Sequence, residues 1–126
     1  MAFDWQQFRV LAEKLLRVGG EAENRSAISR AYYSTFNILK NRAELNGVRF
    51  STEAGFHKQL WACYKRGPDP SSIRIGVEGE RLHELRVRAD YIPEFARLEE
   101  QAAQAVKQAR DLPAQAARLD RRYPRP

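Results

Sequence analysis

Apolar residues in this chain recur at helical spacing from one end to the other, and nowhere do they alternate with polar ones as a half-buried strand requires. Phe8, Leu11, Ala12, Leu15 and Leu16 follow the i, i+3, i+4, i+7, i+8 pattern of an amphipathic helix over about Asp4 to Val18, which Gly19-Gly20 then stop. A second, longest and most central helix is predicted from Glu21–Asn24 to Asn46-Gly47, with Ile28, Tyr32, Phe36, Leu39 and Ala43 along its apolar face. Ser51 or Thr52 can cap a third, carrying Phe56, Leu60 and Cys63 and ending at Lys65-Arg66-Gly67, and Pro68 to Ser72 read as loop.

The fourth helix is expected from about Val77 to Tyr91, its first turn weakened by Gly76 and Gly79 and its stripe formed by Leu82, Leu85, Ala89 and Ile92. Pro93 suits the first turn of a fifth, in which Phe95, Leu98, Ala102, Val106 and Ala109 share a face and Pro113 bends or ends the helix. Residues 118–126 read as a fraying basic tail. The fold class is therefore all-α: an up-and-down bundle of four core helices plus a short additional one, with residues 1–112 as the bundle and 113–126 as the tail.

At 126 residues and 43% apolar content the chain can build one packed core. Charged residues interrupt every apolar run, which excludes a membrane span, and the first residues lack the basic start and apolar middle of a secretion signal; a cytoplasmic protein is expected. One cysteine and two histidines form no spaced zinc cluster, so neither a metal nor another cofactor is expected. The net charge is +6, and most of the 22 basic residues are arginine. Guanidinium forks match phosphate oxygens and stack on bases, so RNA or nucleotide is a natural partner; arginine-rich coding provides a competing explanation.

Two stretches go beyond a generic bundle. Arg25-Ser26-Ala27-Ile28-Ser29-Arg30-Ala31-Tyr32-Tyr33-Ser34-Thr35-Phe36 lies on the second helix, and Leu85-Arg86-Val87-Arg88-Ala89-Asp90-Tyr91 ends the fourth. With Phe56-His57-Lys58 between them, this order of motifs resembles the HEPN superfamily, in the branch with Ser-Arg-Ala-Tyr-Tyr early and Arg-x-x-Ala-Asp-Tyr late. The resemblance covers roughly residues 8–110. It implies a homodimer, and frequent pairing with a minimal nucleotidyltransferase antitoxin in prokaryotic toxin–antitoxin operons. It also implies a candidate chemistry, metal-independent RNA cleavage by an Arg followed four to six residues later by His, with two copies facing across the dimer.

Here the chain departs from that pattern, since Tyr91 occupies the window after Arg86 and no His follows Arg86 or Arg88 within reach. Metal-free cleavage must take a proton from the 2′-hydroxyl and stabilise a more negative phosphorane. Arginine suits the second task. Imidazole titrates near neutrality and suits the first, whereas a phenol with a pKa of about 10 is a poor base. Tyr91 remains a candidate general acid, stacking platform or phosphate-positioning hydroxyl.

At about 100° per residue, His83, Arg86 and Asp90 share a narrow arc beside the apolar stripe, where His83 can supply the missing imidazole from the other side of Arg86. The plain alternative is an i, i+4 ion pair between Arg86 and Asp90 with His83 half exposed. On the second helix Arg30 and Tyr33 can support the same groove, while Tyr32 and Phe36 suit the core; Arg30 can instead pair with Asp90 and simply tie two helices together. His57 reads as a capping or packing residue unless the resemblance gives it a role. Lys58, Arg42, Arg49, Lys65, Arg66 and the tail arginines can border a basic groove or form a solvated face.

Catalytic candidates are thus Arg86, Asp90, Tyr91 and His83, and RNA- or nucleotide-binding candidates Arg30, Tyr33, Arg88, His57 and Lys58. Three functions remain open: a HEPN-like toxin or RNA-processing component, a non-catalytic nucleotide- or RNA-binding module that docks a nucleotidyltransferase, and a structural homodimer.

Overall fold

The computed structural model describes residues 2–51 and 55–126. Its elements are α1 (Gln6–Val18), α2 (Glu21–Leu45), α3 (Phe56–Lys65), α4 (Pro70–Tyr91) and α5 (Leu98–Ala117), and there is no strand among the described residues. Four helices form the core of the bundle and α3 is the short additional one. α2 touches every other helix, so a broad band of its surface is buried.

Local rules account for most of the boundaries. Gly19 ends α1 at φ +78°, where its N–H donates to Leu15 O at 3.1 Å. The predicted α2 face is buried from Ile28 to Ala43, and small residues at Ala27, Ala31, Ser34 and Thr35 let neighbouring helices approach it. Thr52, one of two candidate caps for α3, lies outside the described residues; Gly55 takes the N-cap position in the left-handed region, at φ +97°.

The expected start of α4 at Val77 is corrected: the helix begins at Pro70, inside the segment read as loop. Asp69 is its N-cap, with Oδ1 accepting from the Ser71 N–H at 2.8 Å, and Pro70 supplies a preset φ at the first helical position. Gly76 and Gly79, read as weak points, are contact points. A Cβ at Gly79 would come within 2.2 Å of the Trp61 ring, and one at Gly76 within 2.7 Å of Trp61 O. The two glycines let α4 close on α3 around an indole that is fully buried. Burial of such a side chain contributes roughly 1.5–3 kcal/mol.

Two expectations about α5 also change. The helix starts at Leu98, not Pro93, because Ile92 is held extended (φ −105°, ψ 120°) before the proline and the carbonyls of Ile92 and Pro93 are engaged by Arg25. It then runs through Pro113 to Ala117, held by buried Leu112 and Ala116 on either side of the proline. Ile92, expected in the apolar stripe of α4, is 43% exposed.

The C-terminal segment is docked rather than fraying. Arg42 donates from Nε to Tyr123 O at 2.9 Å and from Nη2 to Asp120 O at 3.2 Å, and Asn46 Nδ2 donates to Pro124 O at 3.0 Å. Leu119 and Pro124 are buried beneath these bonds.

Candidate functional site

The site lies where the N-terminal half of α2 crosses the C-terminal end of α4. Arg25, Ser29 and Tyr33 recur every fourth residue on α2, and all three reach α4 or the turn after it. Arg25 Nη1 donates to Ala89 O at 2.9 Å and Ile92 O at 2.7 Å, and its Nη2 to Pro93 O at 2.6 Å. These carbonyls belong to the helix end and the turn that follows, where no backbone N–H is available to them, and a cation suits the negative end of the helix dipole. Ser29 Oγ donates to Asp90 Oδ2 at 3.4 Å.

Arg86 is the centre of this seam. Its Nη2 donates to Tyr33 Oη at 2.8 Å, and its Nε lies 3.3 Å from Asp90 Oδ2. Because that approach is too oblique for a hydrogen bond, Nε is buried without an aligned acceptor, and the contact with Asp90 is ionic. The Arg86 side chain is only 13% exposed. Its guanidinium carbon sits 5.1 Å from the Tyr33 ring centre and 5.9 Å from that of Tyr91, which is 70% exposed. The group is thus sandwiched between a fixed ring on α2 and a solvent-facing one on α4.

Beside Arg86 the two histidines meet. The rings of His57 from α3 and His83 from α4 stack at 4.8 Å, 13° from parallel. His57 also stacks on Phe36 at 4.3 Å, and its Nδ1 is 2.7 Å from Tyr32 Oη. Trp61 Nε1–H donates to that same Tyr32 oxygen at 3.2 Å. The Tyr32 hydroxyl is therefore already an acceptor, and with its side chain fully buried it donates its own proton to His57 Nδ1. This arrangement leaves the His57 proton on Nε2.

Burial, reinforced by His83 and Arg86, pushes His57 down to about 4. Burial and Arg86 lower His83 too. Both imidazoles are consequently neutral at physiological pH, able to accept a proton or hydrogen bond and poorly able to donate one as imidazolium. Burial raises the Tyr32 phenol, which stays protonated.

The structure thus brings Tyr33, His57, His83, Arg86, Asp90 and Tyr91 together along the seam between α2 and α4, with the start of α3 beside it. The Arg30–Asp90 pairing is corrected. Arg30 lies 4.6 Å over the Phe8 ring of α1 and 5.8 Å from the Tyr33 ring centre, one residue round the helix from Ser29, and Asp90 takes Arg86 and Ser29 as partners. Arg88 stacks 4.6 Å over Phe95, on a different side of α4 from Arg86. Lys58 is exposed on α3. Sequence reasoning missed Arg25, Ser29 and the Trp61–Tyr32–His57 chain, although the four-residue spacing of Arg25, Ser29 and Tyr33 was a usable signal for one shared face. Among the described residues no three His, Cys, Asp or Glu side chains converge as a metal site, and no helix is long and apolar enough to cross a membrane.

These features define an all-helical bundle whose polar seam holds a half-buried arginine between aromatic rings and beside stacked imidazoles. Residues 6–117 match the HEPN domain family, and the chain belongs to it. HEPN domains are nucleotide- and RNA-associated modules that commonly dimerise. No curated protein and no solved structure matched the chain.

Proposed function

We propose that this chain is the RNA-directed component of a prokaryotic toxin–antitoxin or defence system, acting in the cytoplasm as a homodimer whose two Arg86 seams face one groove. The observation that carries this reading is the held guanidinium: Arg86 is fixed by Tyr33 and paired with Asp90 in the α2–α4 seam, with the neutral His83 ring beside it. A positioned guanidinium is preorganised for a phosphate that gains charge in the transition state. In this reading His83 takes the proton of the 2′-hydroxyl, the resulting alkoxide attacks phosphorus, and the 5′-oxygen departs with a proton delivered by Tyr91 or water. Asp90 holds Arg86 by charge while the Tyr33 hydroxyl sets its direction, and no metal is required.

A second reading has its own support. His57 and His83 are packed ring on ring, whereas Tyr91 is the outward group, 70% exposed. A non-catalytic module that presents Arg86 and Tyr91 to nucleotide, RNA or a nucleotidyltransferase partner fits that orientation.

The deciding experiment is cleavage and binding of total RNA and tRNA in EDTA by wild type, Arg86→Ala, His83→Gln and Tyr91→Phe. Cleavage that is lost in Arg86→Ala and His83→Gln establishes the ribonuclease. Binding that depends on Arg86 without cleavage selects the module, and neither activity refutes both.

A further inference from the structure

A second group of arginines gathers at the opposite end of α4, where the turn after α3 meets the docked C-terminal segment. A cleft of about 330 Å³ is lined there by Cys63, Arg66, Gly67, Tyr123, Pro124 and Arg125, a size within the roughly 300–1,000 Å³ range of small-ligand sites. An adjoining depression carries Arg74 and Arg118. All four arginines are exposed. None has a carboxylate within ion-pair distance among the described residues.

The acids at this end are already engaged. Asp69 caps α4 through the Ser71 N–H at 2.8 Å, and Asp120 is held by Arg122 at 2.9 Å. Arg66 follows the C-terminus of α3, where a cation offsets the helix dipole, but that local explanation does not extend to Arg74, one turn into α4 near its positive end. Four arginines without an ion-pair partner, beside acids of which one is paired and one is a helix cap, suit a partner that brings several anionic groups. Tyr123 supplies an aromatic surface at the cleft, with the Arg125 guanidinium 5.3 Å and the Arg122 guanidinium 5.8 Å from its ring centre.

We infer that this end is a second contact for single-stranded RNA, Arg66 and Arg125 taking backbone phosphates and Tyr123 stacking a base. An aromatic ring beside guanidinium groups favours an unstacked base over an acidic protein surface, and a duplex would keep its bases from the ring. The inference rests on the RNA reading above and extends it. Arg74 and Arg86 are separated by about 18 Å along α4 at about 1.5 Å per residue, so a strand that meets both ends runs along the bundle.

The test combines a thiouridine-substituted single-stranded RNA for photo-crosslinking with salt-dependent binding by wild type, Arg66→Gln/Arg125→Gln and Arg86→Ala. The expected result is cross-linking to Tyr123, with about tenfold weaker binding by the double variant. Its log–log salt slope should be shallower by about 1.4, the value for two phosphate contacts on a single strand. Because both side chains are exposed, the variant should keep the wild-type circular dichroism. Cross-links confined to the Tyr91 end, with affinity and slope unchanged, overturn this inference and leave the Arg86 reading standing. Cross-links at Tyr123 with undiminished binding by Arg86→Ala do the reverse, and no RNA binding refutes both.

Discussion

Arg86 and Tyr33 are joined across two helices by a 2.8 Å hydrogen bond, which is the only aligned hydrogen bond of the Arg86 guanidinium among the described residues. The phenol therefore sets where the charge points, and Asp90 contributes attraction without fixing direction.

Tyr33→Phe removes that acceptor and keeps the ring. It should cost about 1 kcal/mol of stability, the typical value of one such bond, yet weaken RNA binding about tenfold because Arg86 is freed to turn toward Asp90. A thermal melt beside a binding titration checks the split. Unchanged affinity would mean that Arg86 needs no positioning.

The stacked histidines predict an acid-sensitive fold. In the unfolded chain an imidazole titrates near 6.5, whereas His57 in the fold is pushed down to about 4 and His83 is also lowered. The fold favours the neutral form. The His57 contribution is therefore full above the unfolded value and is lost as pH drops from about 6.5 toward 4, and His83 adds a loss of the same sign. With partial solvent screening the loss through His57 is about 2 kcal/mol. Urea unfolding across that range checks it. In His57→Asn, whose Oδ1 can still accept from Tyr32, the slope should flatten.

Gly79→Ala carries an unusual sign. In a free helix this change stabilises by about 1 kcal/mol, but here the new methyl would lie 2.2 Å from the buried Trp61 ring. Forcing α4 away from α3 should instead destabilise by about 1–3 kcal/mol, measured by denaturant midpoint. Val77→Ala, on the exposed side of the same helix, serves as the control.

The contrast between these positions explains what the sequence disclosed. Helical periodicity located all five helices, and the buried face of α2 and the Ala102, Val106 and Ala109 positions of α5 followed from spacing alone, whereas Phe95 lies ahead of α5. The start of α4 was missed because Pro70 and the glycines look like breakers until Asp69 caps the helix and Trp61 fills the space that Gly79 leaves. The site was half legible: Arg86, Asp90 and His83 follow from one helical arc, but the meeting of His57 with His83 and of Arg25 with the end of α4 depends on how separate helices pack. Asp90 is a chemically sound candidate partner for Arg30, but a rotation of one residue on α2 gives it to Ser29 and Arg86 instead.

Arg25 offers the sharpest test of how the scaffold serves the seam. Its fork holds three carbonyls, of Ala89, Ile92 and Pro93, bracketing Asp90 and Tyr91. Lysine keeps the charge, and with it the interaction with the helix dipole, but a single ammonium does not reproduce the planar fork. Arg25→Lys should therefore leave the fold intact at a cost of about 1–2 kcal/mol while loosening the last turn of α4. Hydrogen exchange at Asp90 and Tyr91 should rise, and RNA binding should fall in the same direction as in Tyr33→Phe. Combining the two changes should cost less binding than their sum, because each releases the same Arg86 guanidinium. Full additivity would instead assign Arg25 a separate role, with the end of α4 holding its shape without it.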